Sequence, residues 1–437
     1  MKPFFESYKD SKFIITLSIL ILIYVMVNPA IYSPDTFSYL RAMPERHPGY
    51  VVFLKFFSAI TPNKWFFDNG IKLIQVLFGS ISIFYFYKKI TTIFTLSRLE
   101  STLLVLVLIF PFLPPIQIAN NICPEGISYP LYLLFLGLAM EIIVNNNAKK
   151  LHYFLTIYII LALTRGQFII ATLVLLIPLL PFLKSSKVTR SKLKQIAVFL
   201  MAPAIVMLLD MSYHKVKDGH FKTTPYGFVN VSGLAFYVSK EENGKALETN
   251  EEKTLFSICQ QELYRKHLLV SQLTTESYKE KYMFFHNHVP QICNQTIFKS
   301  TLEYLTEKQT GNDKKAIDAK AHFEAESLLK KISLSLIIQN FRQWITLYFE
   351  NIIHGFKSII LLLFMTALFI YSLVSVLFKR NKLNLLLFIL LSLTLSNAML
   401  VAFASHSIMR YLFYNYVSMF LIFVLLINEF KTYVRKH

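Results

Sequence analysis

Asp35, Tyr39, Arg41, Glu45, Arg46 and His47 crowd into one stretch, "SPDTFSYLRAMPERHPGYVVFLKFF" (33–57), directly after a long apolar run. Pro34 permits a helix start, which places Asp35 and Tyr39 at i and i+4 on one face of a short helix. Pro44 and Pro48 end that helix, and "GYVVFLKFFSAI" begins another, short and amphipathic enough to lie along a membrane interface. An aspartate in this position has two uses. It can cap a helix or pair with its dipole, or it can act as a base that takes a proton from an acceptor hydroxyl or amine. Arg41 and Arg46 suit a phosphate leaving group, and equally suit lipid head groups. His47, before a proline, either braces the turn or acts chemically.

The elements that must position this island are apolar blocks. The chain has 437 residues, 54% hydrophobic and only 16% charged, where a soluble domain carries roughly 25% charged residues. Blocks of about 20 apolar residues are long enough to cross the hydrocarbon core as helix. The expected architecture is an all-α polytopic membrane protein with about ten transmembrane helices: 13–30, 66–87, 99–118, 127–144, 151–163, 168–183, 195–211, 353–378, 385–403 and 411–427. The fifth is short, and with the sixth it forms either two tilted spans or a hairpin dipping in from one side. The first has no small-residue cleavage site and reads as a retained span.

The net charge of +19 is a matter of position. Region 213–340 holds 17 Lys/Arg against 15 Asp/Glu, so it is nearly neutral. The surplus sits in short connections: Lys2, Lys9 and Lys12; Lys88, Lys89 and Arg98; Lys149 and Lys150; "KSSKVTRSKLK"; "KRNK"; and "KTYVRKH". With ten spans all six fall on one side, which the positive-inside rule makes the cytoplasm, with both termini inside. That pattern excludes a nucleic-acid partner as the reason for the charge. The charged island, "QIANNICPEG", the "TRG" turn, region 213–351 and "SHSIMRY" then face outward. Each carries ionisable or polar groups at the membrane boundary, which together suggest a polar cavity on the outer face.

Three domains follow: an N-terminal transmembrane module (1–212) with its first outer loop at 31–62, an outer domain (213–351), and C-terminal transmembrane helices (352–437). The outer domain has mixed charge and helical apolar spacing. "GHFKTTPYGFVNVSGLAFYV" within it reads as loop with a short strand. Cys259 and Cys293 either form a disulfide or stay as free thiols. The chain holds no glycine-rich phosphate loop, HExxH or paired CxxC, and no internal repeat of the inverted-transporter kind.

The early outer loop with Asp-x-x-x-Tyr, followed by "HPGYVVFLK", resembles the first loop of the GT-C glycosyltransferase superfamily. The likeness is to glycosyltransferase family 39 and its bacterial relatives, the protein mannosyltransferases and the lipid A aminoarabinose transferases. "NNICPEGISYPLYLLFLGLAM" resembles the family's fourth-span start. "LTRGQFIIATLVLLIPLL" resembles its arginine-bearing luminal turn, and "RYLFYNYVSMFLIFVLL" its last span. The resemblance covers about the first 185 residues and the final 40. It implies transfer of a sugar from a polyprenyl-phosphate carrier to a glycan, lipid or protein acceptor on the outer face, in a bacterial inner membrane. It makes Asp35 the catalytic base and places Glu125, Arg165 and Arg410 near the donor phosphate or acceptor. Tyr39, Arg41, Arg46, His47 and Tyr411 complete the candidate substrate-binding set.

Many family members carry an Asp-Glu pair in the first loop, where this chain has Asp35-Thr36. One acid is left there, with Glu125 available either as a second carboxylate or as a helix N-terminal acid. No cofactor is expected, and the departure leaves any divalent-metal requirement open. Arg165 and Arg410, each at the outer end of a span, hold an anion or snorkel to lipid phosphate. Two other readings remain: an O-antigen polymerase or ligase, and a flippase or transporter of lipid-linked saccharide, for which Gln75 and Asn397 are the best mid-span polar candidates.

Overall fold

The computed structural model describes residues 2–184, 189–309, 313–378 and 381–434. Parts of three basic connections, at 185–188, 379–380 and 435–437, lie outside them. The chain begins with α1 (Lys2–Val27), then the two short helices expected from the island, α2 (Pro34–Leu40) and α3 (Pro48–Ile60). α4 (Lys64–Ile93), α5 (Arg98–Ile109), α6 (Glu125–Ile143), α7 (Leu151–Thr164), α8 (Ala171–Val174) and α9 (Arg190–Asp218) follow. The outer domain comprises α10 (Gly227–Tyr237), α11 (Asn250–Arg265), α12 (Tyr278–Val289), α13 (Lys299–Glu307), α14 (Lys314–Gln339) and α15 (Phe341–Gly355), with a π-helical turn at Pro290–Phe298. The chain closes with α16 (Ile359–Phe378), α17 (Lys382–Ala404) and α18 (Met409–Val434).

Among the described residues six helices are long and apolar enough to cross a membrane: α4, α6, α9, α16, α17 and α18. The other four expected spans are shorter or broken. The apolar part of α1 is Lys12–Val27. α5 stops at Ile109, where "FPFLPP" interrupts the backbone ladder. α7 has 14 residues, and the expected sixth span consists of 3-10 turns around α8, with Pro178 and Pro181 in the last of them. The glycine- and aromatic-rich segment is a correction: 227–237 is helix α10, not strand. Val229, Ala235 and Phe236 are fully buried in it, so the segment is covered on several sides, which suits a helix in a helical core better than a lone strand with open edges.

Among the described residues the large hydrophobic cores lie among the apolar helices and within the outer domain from Val229 to Leu347, with a small third cluster at Leu305, Ala321 and Ala325. Basic connections gather at one end of the bundle. Lys89 pairs with Glu141 at 2.7 Å, Lys192 donates to Asn146 at 2.7 Å, and Lys431 pairs with Glu100 at 2.8 Å. At the opposite end the last carbonyls of α1 and the residue after it, which lack intrahelical partners, are met by side chains. Lys72 donates to Asn28 O at 2.8 Å and Asn120 to Val25 O at 3.1 Å. α3 buries Val51, Leu54 and Phe57 and exposes Val52, Phe56 and Ile60, a two-faced helix of interfacial character.

Candidate functional site

Asp35 and Glu125 are brought together by a small piece of parallel pairing. Ile31 bridges Asn121, with Ile31 N donating to Asn120 O at 2.8 Å and Ile122 N to Ile31 O at 3.1 Å. Four residues beyond the bridge on each segment stand Asp35, in the first turn of α2, and Glu125, the first residue of α6. Asp35 does not cap its helix. Ser33 holds that position, its N–H donating to Thr36 Oγ1 at 2.9 Å. Thr36, where relatives of the resembled family carry a second acid, is buried, its hydroxyl 3.6 Å from Cys123 Sγ. The second carboxylate beside Asp35 is therefore Glu125, a partner 90 positions away.

Three arginines bind these two acids. Arg410 at the start of α18 donates through Nη1 to Asp35 Oδ2 at 2.6 Å and through Nε to Glu125 Oε1 at 2.5 Å. Arg46 donates through Nη2 to Asp35 Oδ1 at 2.8 Å and through Nε to Ser38 Oγ at 2.7 Å. Arg165, an extended residue that caps α7, donates through Nη1 to Glu125 Oε1 at 2.7 Å. Glu125 is 3% exposed, whereas the Asp35 and Arg410 side chains are each 30% exposed. Asp35 is thus the carboxylate a substrate can reach, and Glu125 the buried anchor that holds two guanidinium groups in place.

Close approach is allowed by two glycines. A Cβ on Gly126 would lie 2.2 Å from Gln75 Oε1, and one on Gly166 would lie 2.5 Å from His47 Nε2. His47 therefore packs its ring on the Arg165–Gly166 turn and braces α3 against it. Burial, opposed by Asp210 and aided by Arg165, holds this imidazole below its ordinary value, so it stands neutral beside the arginines.

The remaining expected residues divide. Tyr39 is buried under the Arg46 guanidinium, 5.1 Å from the ring centroid, and burial pushes its hydroxyl up to about 12. Tyr411 lies under Arg165 at 5.3 Å. Arg41 is exposed and makes no ion pair among the described residues, so it stands apart from the group formed by the others. It follows α2 in a turn whose next residue, Ala42, has φ 53, and this turns the chain away before Arg46 returns it.

Several contributors were missed. Ser38 orients Arg46, and the Tyr226 ring from the outer domain faces Arg46 at 5.4 Å. Glu45 Oε1 lies 3.9 Å from Arg46 Nε. Gln167 joins Arg165 (3.2 Å) to Asn397 (3.1 Å), and Asn397 donates to Asn415 at 2.9 Å. Ser38 and Glu45 stood in the quoted island and offered a signal. Tyr226 and Asn415 offered none, because nothing local ties them to it.

Burial alone would raise the Asp35 carboxyl. Arg46, and then Arg410, outweigh it and hold Asp35 below the ordinary carboxylate value. Arg46, Arg165 and Arg410 face Asp35, Glu125 and, 3.9 Å from Arg46 Nε, Glu45, and their forked guanidinium groups suit an incoming anion. Among the described residues no group of three His, Cys, Asp or Glu is placed to hold a metal ion. Asp35 and Glu125 share Arg410, so a divalent cation between them would displace that guanidinium. Cys123, Cys259 and Cys293 are free buried thiols, which decides the disulfide alternative. Comparison with family models, with curated proteins and with solved structures finds no match for this chain.

Proposed function

We propose that this protein is a membrane glycosyltransferase that moves a sugar from a polyprenyl-phosphate carrier to a glycan, lipid or protein acceptor. The observation that carries the reading is one accessible aspartate held between Arg46 and Arg410 at the end of the bundle opposite the basic connections. In this reading the chain passes the membrane about ten times, with the short α5, α7 and the broken segment around α8 as incomplete or tilted passes. Both termini face the cytoplasm of a bacterial inner membrane, and the site faces out.

The chemistry asks for few parts. The anomeric carbon of a lipid-phosphate sugar is already activated, so no nucleotide fold is needed. The acceptor O–H or N–H attacks that carbon, the carbon–oxygen bond to phosphate breaks, the acceptor proton passes to Asp35, and the prenyl phosphate leaves with the electron pair. Attack opposite the leaving group inverts the anomeric centre. Preorganised cations at the leaving oxygen stabilise the developing charge. Asp35 between two guanidinium groups is a weak base. A donor phosphate that draws Arg46 and Arg410 to itself removes those cations from Asp35 and raises its basicity when the acceptor needs it. The resemblance of the first loop, the Glu125 region, the Arg165 turn and the last span to family 39 supports the same assignment.

The transporter alternative draws less support. Gln75 donates to Ala119 O at 3.0 Å and Asn397 to Asn415, so both mid-span amides are engaged internally. The polymerase or ligase alternative shares the donor chemistry and differs in the acceptor.

The test is transfer of a labelled sugar from polyprenyl-phosphate carriers in membranes, wild type against Asp35→Asn at matched levels. Loss of about a hundredfold or more, the scale of a lost general base, supports the reading. Activity left intact by Asp35→Asn removes Asp35 as base and moves the role to Glu125. Absence of transfer across a panel of carriers and acceptors favours the flippase.

A further inference from the structure

The Asp35–Arg46 pair is tied to the outer domain through a buried acid and a buried histidine that the transfer chemistry does not use. Glu45 and His322 are 9% and 2% exposed, and Glu45 Oε2 lies 3.3 Å from His322 Nε2. Glu45 Oε2 has no hydrogen-bond partner of good geometry, a costly state for a buried carboxylate oxygen. His322 sits on α14, and its Nδ1 is 2.7 Å from the backbone carbonyl of Asp318. A carbonyl only accepts, so Nδ1 carries a hydrogen. Nε2 is then the nitrogen that faces Glu45, so the buried ring and the buried carboxylate meet as a direct contact between α14 and the island. The other charged group near the ring is Asp318, its Oδ1 3.6 Å from Nδ1, and Phe298 of the π-helical turn covers the ring edge at 5.5 Å.

We propose that His322 and Glu45 form a latch by which the outer domain positions Arg46, and through it Asp35. Glu45 precedes Arg46 directly in sequence, so fixing its carboxylate to α14 fixes the backbone from which Arg46 reaches Asp35 and Ser38. The outer domain reaches the same guanidinium a second way, through the Tyr226 ring, whose hydroxyl donates to Asn294 on the π-helical turn at 3.0 Å. Arg46 is therefore the point where the outer domain meets the base. This assigns positioning roles to two residues that touch no reacting atom. It rests on the reading of Asp35 as base only for its catalytic consequence.

The experiment uses the purified full-length protein in nanodiscs. Hydrogen exchange is followed at the amides that close the island's turns, those of Arg41, Ala42, Met43 and Arg46, whose acceptors are Phe37, Tyr39, Ser38 and Met43. His322→Gln and Glu45→Gln should each speed exchange roughly tenfold, with the double variant no faster than the faster single, because both remove one contact. His220→Gln, which removes a ring packed on the neighbouring Phe323, should leave these amides unchanged. Unchanged exchange in the single variants, or an additive double, overturns the latch. With an active wild type, the same variants should lower kcat roughly tenfold at unchanged donor KM, as misplacement of a base does. A fall in KM-linked binding alone overturns the positioning role. A wild type without transferase activity defeats the proposed reaction and leaves the exchange result to decide the latch by itself.

Discussion

Arg410 Nη1 lies 2.6 Å from Asp35 Oδ2 across 375 positions of sequence, so the last apolar helix closes the site that the charged island after α1 opens. The same guanidinium holds Glu125 from its Nε edge. One side chain therefore decides both the charge balance and the closure of the bundle.

Replacing Arg410 should be costly in two measurements. Arg410→Ala leaves Glu125 with Arg165 and Asp35 with Arg46, and we expect a stability loss of about 3 kcal/mol, the scale for breaking a buried pair, read as a lowered Tm in detergent. Arg410→Lys keeps the charge but loses the forked geometry. It should recover much of the Tm while transfer stays at least roughly tenfold below wild type.

His47 and Gly166 make a steric pair. Gly166→Ala should lower stability by about 1–3 kcal/mol, the usual cost of overpacking, because its Cβ meets the imidazole. Combining it with His47→Ala removes the clash. The double variant should be more stable than Gly166→Ala alone, and an additive loss in thermal unfolding would contradict the contact.

Acid should weaken the fold in two stages. His286, His354 and His406 cluster where α12, α15 and the turn before α18 meet, with ring centroids 4.5 and 4.9 Å apart. Burial, then mutual repulsion, lowers His354 and His406 to about 4 from an ordinary 6.5. A histidine that resists protonation when folded leaves stability intact above pH 6.5 and lowers it as pH falls towards 4. Asp35 works in the same direction at lower pH: its contribution is present above its ordinary 3.8 and is lost only below that. A Tm series from pH 7.5 to 3 should therefore fall first through the histidine window, and the His354→Asn, His406→Asn double variant should flatten that first fall.

The cysteines should be silent to thiol reagents until the protein unfolds. Burial pushes the Cys259 and Cys293 thiols up to about 12, leaving almost no thiolate at neutral pH, and Cys123 is likewise buried. Maleimide labelling should add nothing in native nanodiscs and three adducts in denaturant, with or without reductant. A third outcome, one adduct in denaturant that rises to three on reduction, would show a disulfide.

The helical membrane class, the two short helices of the island and the grouping of basic connections were all legible from residue order, because each depends on local periodicity, proline placement or charge near an apolar run. Asp35, Glu125, Arg165 and Arg410 were joined as a set by what the family resemblance implies, and the structure brings the four together. Residue order could not separate Arg41 from Arg46: both are arginines in the island, and only the folded chain leaves Arg41 exposed and pairs Arg46 with Asp35. The short strand expected within 219–238 failed because aromatic content describes burial as well as strand preference.

What the chain order determined by itself was the class of the protein and the kind of groups at its outer boundary, since hydropathy and charge act residue by residue. Which carboxylate stays reachable, which arginine bridges two acids, and that His322 of the outer domain meets Glu45 were decided only by tertiary structure. Those relationships join segments up to 375 positions apart, and their energies depend on burial and distances that exist only once the helices have packed.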